Sequence, residues 1–244
     1  MRVFVIMVKE SEKQILQRMF VIIILAFPTT WVVVHYGNTS GAFLPHDLSG
    51  YHPPSSSGNV FYIQQFGYVD DDSLAYIKEF LSSDTKLPVK ILPVQPIPAD
   101  HGNRDDQVDI DKLLKTLKKA DFIPKDAFRV IGITSEDLYY QDMNWVFGVG
   151  EMGKWDCVIS LFRLFPKDEE GRTFRKPEDR LLELYHSRIR KILRHEIGHT
   201  YCLPHCDDDR CGMVYDDNVY DFDLSGEYFC NNCAILMALN NKNF

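Results

Sequence analysis

Three histidines and a glutamate crowd one short stretch of this 244-residue chain: His195-Glu196-Ile197-Gly198-His199, then His205 six positions further on. Side chains four apart on a helix share a face, so His195 and His199 can both reach one zinc ion at about 2.0–2.1 Å. Glu196, between them, can hold a water against that ion. Zinc lowers the pKa of a bound water from 15.7 to about 7, and a carboxylate can then take its proton as the oxygen attacks a carbonyl. A helix ending near Thr200 and turning back would bring in His205 as third ligand. Three protein ligands plus water is the open arrangement of catalytic zinc. The plainer alternative makes His195 and His199 two partly buried helix residues.

Five of the six cysteines lie between Cys202 and Cys233. Cys206, Cys211 and the pair Cys230-Asn231-Asn232-Cys233 fit a closed tetrahedral zinc site, which would be structural. Two disulfides, or free thiols in a core, are the alternatives. Cys202 places one more thiol near the histidines, either as a small buried side chain or as an alternative ligand.

These residues need a scaffold, and the chain carries an α/β pattern from about Val60. Residues 60–64, 88–92 and 128–134 read as strands, the last central because it is apolar on both faces. Between them, residues 73–81, behind the acids Asp70, Asp71 and Asp72, and residues 110–117 carry helical periodicity. The alternation predicts helices packed on a largely parallel sheet. Residues 145–149 and 157–162 add two strands. The glycines Gly148, Gly150 and Gly153 match a dinucleotide fingerprint, but a strand and not a helix follows them, so they read as a turn between adjacent strands. A long helix is predicted to start at Pro177, with Glu178 and Asp179 in its first turn. Its apolar stripe runs from Leu181 to Ile197 and it carries His195 and His199.

The N-terminal part reads differently. Residues 19–34 are sixteen uncharged positions broken by Pro28; a spanning helix needs about 20 apolar residues. They read either as a signal anchor behind Lys9, Lys13 and Arg18 or as two strands broken at Pro28. Residues 37–59 are rich in Gly, Ser, Pro and His and read as a linker, with His46 and His52 as surface residues and a sequon at Asn38. The expected division is an N-terminal extension, 1–59, and one domain, 60–244. With 27 Lys and Arg against 35 Asp and Glu, the net charge of −8 argues against a nucleic-acid partner bound through bulk charge.

The stretch from His195 to Cys233 resembles the archaemetzincins, a branch of the metzincin metallopeptidases. Their signature is HExxHxxGxxHC, four residues, CxM, and a later CxxC. Here His195, Glu196, His199, His205, Cys206, Cys211, Met213, Cys230 and Cys233 match it. The resemblance extends back through the strands to about Val60. It implies a metzincin-like α/β fold, a mixed twisted sheet with helices packed on it and a small zinc-bound C-terminal subdomain. It also implies two zinc ions, one catalytic on His195, His199 and His205, one structural on Cys206, Cys211, Cys230 and Cys233. Glu196 is then the catalytic base. The activity implied is hydrolysis of peptide or protein substrates, aminopeptidase-like, in the cytoplasm unless residues 19–34 are an anchor to the membrane. The competing reading is a non-catalytic, zinc-stabilised peptide- or partner-binding module. The oligomeric state is left open.

By the same resemblance, Met213 belongs to a turn beneath the zinc, and the strand around Trp145 lies above the metal, where an extended peptide could add. Tyr215 stands where some other metzincins carry a tyrosine that approaches the zinc or the reacting carbonyl; core packing is the favoured reading for it here. Two departures stand out. Cys202 replaces the family glycine of a left-handed turn, where a Cβ costs roughly 1–2 kcal/mol. Sixteen residues, one fewer than the family spacing, separate Met213 from Cys230.

Overall fold

The computed structural model describes residues 58–119, 123–166 and 179–240, together with three strands nearer the N-terminus. The chain divides into two compact units, Met1–Ser49 and Gly50–Phe244. The first holds an antiparallel sheet of β1 (Val3–Val8), β2 (Phe20–Phe27) and β3 (Thr30–Tyr36), in that order. Most of segment 19–34 therefore lies in two strands, as its run of Ile and Val favours. Among the described residues no helix is long and apolar enough to cross a membrane. The sequon at Asn38, His46 and His52 lie outside the described residues, as do Pro177 and Glu178.

The second unit runs β4 (Val60–Phe66), α1 (Asp71–Thr85), β5 (Val89–Ile91), β6 (Val108–Asp109), α2 (Ile110–Leu117), β7 (Ala127–Thr134), β8 (Leu138–Tyr140), β9 (Met143–Val146), β10 (Gly148–Gly150), β11 (Asp156–Ser160), α3 (Asp179–Thr200), α4 (Val219–Leu224) and α5 (Asn231–Asn240). Its main sheet has the order β10-β11-β7-β4-β5. The last four strands are mutually parallel and β10 runs antiparallel on the edge. As expected, β7 is central: Ile131 and Ile133 face α1 and α3, and Val130 faces α2.

Local chemistry explains the helices. Asp70 caps α1, its carboxylate accepting from the Ser73 N–H at 2.8 Å, which satisfies one of the free donors of a helix start. Asp109 caps α2, whose Ile110, Leu113, Leu114 and Leu117 are all buried. On α3, Ile189, Ile192 and Leu193 enter the core against Ile77 and Leu81 of α1. Each such side chain contributes about 1.5–3 kcal/mol by leaving water.

One strand departs from expectation. Residues 145–149 do not form a single strand. The chain leaves β9, which belongs to a small sheet of order β6-β8-β9, and enters β10 of the main sheet. The changeover is at Phe147, whose ring stacks on Phe222 and meets Trp145 edge-on. The glycine-rich stretch also divides: Gly148 and Gly150 lie in β10, and Gly153, with φ +67°, lies in the turn to β11.

Asp156 opens β11 fully buried, and neither carboxylate oxygen has a hydrogen-bond partner. Burial pushes its carboxyl up to about 7; Glu151 adds to this, while Lys118 and Lys154 oppose it. A folded value above the unfolded 3.8 means the folded chain holds the extra proton. The group therefore costs stability as pH rises from about 4 to 7 and costs most above 7. At about 1.4 kcal/mol per pH unit, that cost reaches at most about 4 kcal/mol. Asp156→Asn should lift it: urea unfolding at pH 5 and pH 8 should show the variant gaining on the wild type at the higher pH. A stability difference that does not change with pH would reject this account.

Candidate metal centre

The centre is built at the C-terminal end of α3. The helix stops in a Schellman turn: the Leu203 N–H donates to the Gly198 carbonyl at 3.1 Å and the Cys202 N–H to the His199 carbonyl at 2.8 Å. In such a turn one residue takes the left-handed conformation, usually glycine. Here it is Cys202, with φ +60°. The reversal carries the chain back past the helix and sets His205 beside the other two histidines. Ring centroids lie 4.7 Å (His195–His199), 5.2 Å (His195–His205) and 4.9 Å (His199–His205) apart.

The backbone aims two of the rings. His195 Nδ1 lies 3.0 Å from the Gly212 carbonyl and His199 Nδ1 lies 2.8 Å from the Leu203 carbonyl. With each Nδ1–H donated to a carbonyl, Nε2 is left as the free electron pair. The two Nε2 atoms face each other at 3.1 Å. One ligand atom from each of the three histidines lies within 4.8 Å of the others, a grouping able to hold a metal ion. Burial, then the neighbouring imidazoles, holds His195 well below the usual histidine value, and the same causes bring His199 down to about 4. Neutral imidazoles are the form that binds metal. His205 is exposed, so the cluster opens to solvent on that side.

Glu196 is buried against β10. Burial pushes its carboxyl up to about 8, opposed by the Gly150 N–H that donates to it; a divalent cation alongside would draw it back down. The glycines of β10 make this approach feasible. A Cβ on Gly150 would sit 2.2 Å from the Glu196 carbonyl oxygen, and one on Gly148 would sit 2.9 Å from Glu196 Cγ. Thus Gly148 and Gly150, which read in sequence as turn residues, let the edge strand lie directly on the histidine helix.

Met213 is fully buried under α3. A Cβ on Gly198 would meet its Sδ at 2.4 Å, so the helix backbone rests on the methionine. Tyr215 is exposed, not packed as expected, and its ring centroid stands 5.1 Å from that of His205.

Cys206, Cys211, Cys230 and Cys233 form a second donor group, again with ligand atoms within 4.8 Å of one another. All four are free thiols. The Sγ atoms of Cys206 and Cys230 are 3.9 Å apart, against about 2.05 Å for a disulfide. The N–H groups of Cys230 and Met213 donate to Cys211 Sγ at 3.2 and 3.4 Å. The groups interlock: His205 and Cys206 are neighbours, and the Cys206 N–H donates to the Met213 carbonyl at 2.8 Å.

Cys202 belongs to neither group. It is half-buried, and burial raises its thiol despite the charge of Arg129 nearby. Its left-handed backbone makes a direct prediction. Cys202→Gly should raise the free energy of unfolding by about 1 kcal/mol, measured by urea denaturation, and leave zinc content unchanged. Loss of zinc in that variant would make Cys202 a ligand after all.

Comparison with known proteins finds similar sequences and similar structures. Residues 66–239 match Peptidase family M54. An archaemetzincin of Haloquadratum walsbyi is 39% identical over 107 residues, 44% of this chain. That match spans 60% of the relative's own length. The crystal structure of archaemetzincin from Methanopyrus kandleri superposes with a TM-score of 0.60 at 30% identity, covering 76% of this chain and 97% of that one. The one from Archaeoglobus fulgidus, complexed with malonate, gives 0.60 at 29%, covering 72% and 99%.

Proposed function

This chain belongs to peptidase family M54, the archaemetzincins, and we propose that it is a zinc-dependent metallopeptidase acting on peptides or proteins. The observation that carries the reading is the convergence of three imidazoles on one point with Glu196 on the same helix end and an open side at His205. His195, His199 and His205 would hold the catalytic ion, and Cys206, Cys211, Cys230 and Cys233 a second, structural one. Each donor set suits zinc: neutral nitrogens at an open site, thiolates at a closed one.

When bound, zinc polarises a carbonyl and makes water a better nucleophile at neutral pH. The chain supplies the rest. Glu196 takes the proton of the attacking water and returns it to the leaving amine nitrogen. The Gly150 N–H fixes the carboxylate, and the Gly212 and Leu203 carbonyls fix the histidine rings. The edges at β9 and β10 offer main-chain groups along which an extended peptide can lie. A purely structural or binding role for the histidine group has no use for Glu196, whose burial costs stability without a partner cation.

The finer reading is aminopeptidase-like cleavage. It is tested by incubating the purified, zinc-loaded chain with a peptide library carrying free or acetylated N-termini. Cleavage confined to free N-termini supports it, and equal cleavage of both sets rejects that preference while keeping the peptidase. Binding of peptides with no cleavage of either set rejects the enzyme in favour of a binding module.

A further inference from the structure

We propose that Glu227 is a positioning residue for the histidine centre: it clamps the backbone whose carbonyl orients His195. The inference rests on the reading of His195 as a metal ligand. The contacts start on α3. Arg190 Nε and Nη2 donate to the two Glu227 carboxylate oxygens at 2.8 and 3.1 Å, and Arg194 Nη1 donates to Oε1 at 2.7 Å. The Arg194 guanidinium also lies over the Tyr228 ring, 4.4 Å from its centroid. Glu227 is thus a largely buried carboxylate bound by two guanidiniums, and such charge-assisted bonds are roughly twice as strong as neutral ones.

Those bonds hold residues 226–228 against residues 210–212. The two backbones are in contact. A Cβ on Gly226 would sit 1.7 Å from the Arg210 carbonyl oxygen, and one on Gly212 would sit 3.3 Å from that of Glu227. The Gly212 N–H donates to the Tyr228 carbonyl at 2.8 Å, and the Gly212 carbonyl is the group 3.0 Å from His195 Nδ1. The path therefore runs from the two arginines through Glu227 and Tyr228 to Gly212, and ends on the ring of the residue next to Arg194. α3 has other anchors for its arginines. Arg194 also bonds Asp84, and Arg190 also bonds Glu183 and the Tyr76 hydroxyl. Removing the Glu227 charge should leave the helix in place and free the Gly212 carbonyl to shift.

The test compares full-length wild type with Glu227→Gln and Arg190→Lys. Zinc affinity at the histidine centre is read by competition with a chromophoric chelator, and ligand geometry by the visible spectrum of Co(II) bound there. Losing an outer partner of a metal-bound histidine weakens binding by about 10–100-fold. Glu227→Gln should lose that much and shift the Co(II) bands, while the four-cysteine group keeps its metal. Arg190→Lys should move both readouts in the same direction by less, and it carries the test if the Gln variant does not fold. Unchanged affinity and spectrum in a folded variant would overturn the role of Glu227 alone. A wild type whose histidines take up no metal would overturn the reading of the centre as well.

Discussion

Glu196→Ala should keep its zinc and lose nearly all turnover. The two properties separate because different atoms serve them. In the proposed mechanism the histidine rings hold the ion, and the Gly212 and Leu203 carbonyls lie where they orient two of them. Glu196 would contribute a carboxylate that moves a proton. General acid–base catalysis by a placed side chain is worth about 100- to 10,000-fold, so the loss in kcat should fall in that range. Substrate binding should change little, because the main-chain edges of β9 and β10 remain. A thermal melt of the zinc-loaded variant checks that lost turnover is not lost fold. Equal cleavage rates for the two proteins would remove Glu196 from the mechanism.

The parts of this centre differ in how far sequence reveals them, for physical reasons. The two donor groups are legible because metal chemistry favours both residue type and spacing: two histidines four apart, CxxC, a third histidine past a turn. Helix α2 is legible to the residue because its apolar stripe, Ile110, Leu113, Leu114 and Leu117, is local. The break at Phe147 is not, since both sides of it are apolar and only partners distant in sequence decide which sheet each half joins. Gly148 and Gly150 announce a tight place without saying whether it is a turn or a contact; the contact is with Glu196, almost fifty residues on. Helix α5 hides its stripe: Cys233, Leu236 and Met237 pack inward, but the exposed Ala234, Ile235, Ala238 and Leu239 are apolar too, so the sequence shows no contrast between its faces. Glu227 is silent in sequence, because its two arginine partners lie on a helix whose docking creates the interaction.

Losing the cysteine group should cost both metals, whereas losing the histidine group should cost one. The asymmetry follows from how the groups interlock. The C-terminal segment has a small core of its own, Leu203, Cys211, Met213 and Cys233, two of whose four members are thiols of the metal group. Beyond Phe222, which enters the main core with Val219 and Met237 against it, little apolar burial is available to hold it together. A structural zinc supplies folding free energy directly, about 10–16 kcal/mol in zinc-finger peptides. Cys230→Ala should therefore unravel the segment from Leu203 onward. That change releases His205, which adjoins Cys206, and withdraws the Gly212 carbonyl from His195, since Gly212 adjoins Cys211. The core around β7 and α2 has its own buried residues and should persist. His199→Ala, by contrast, removes one donor from the open group and leaves all four thiols in place. Native mass spectrometry should count two zinc ions in wild type, one in His199→Ala and none in Cys230→Ala. Hydrogen exchange should show lost protection beyond Leu203 in the cysteine variant alone. Mild chelation of the wild type should strip one ion quickly and the other slowly, because an open histidine site exchanges faster than a closed thiolate one. Retention of one zinc and of full activity in Cys230→Ala would show that the two groups stand independently.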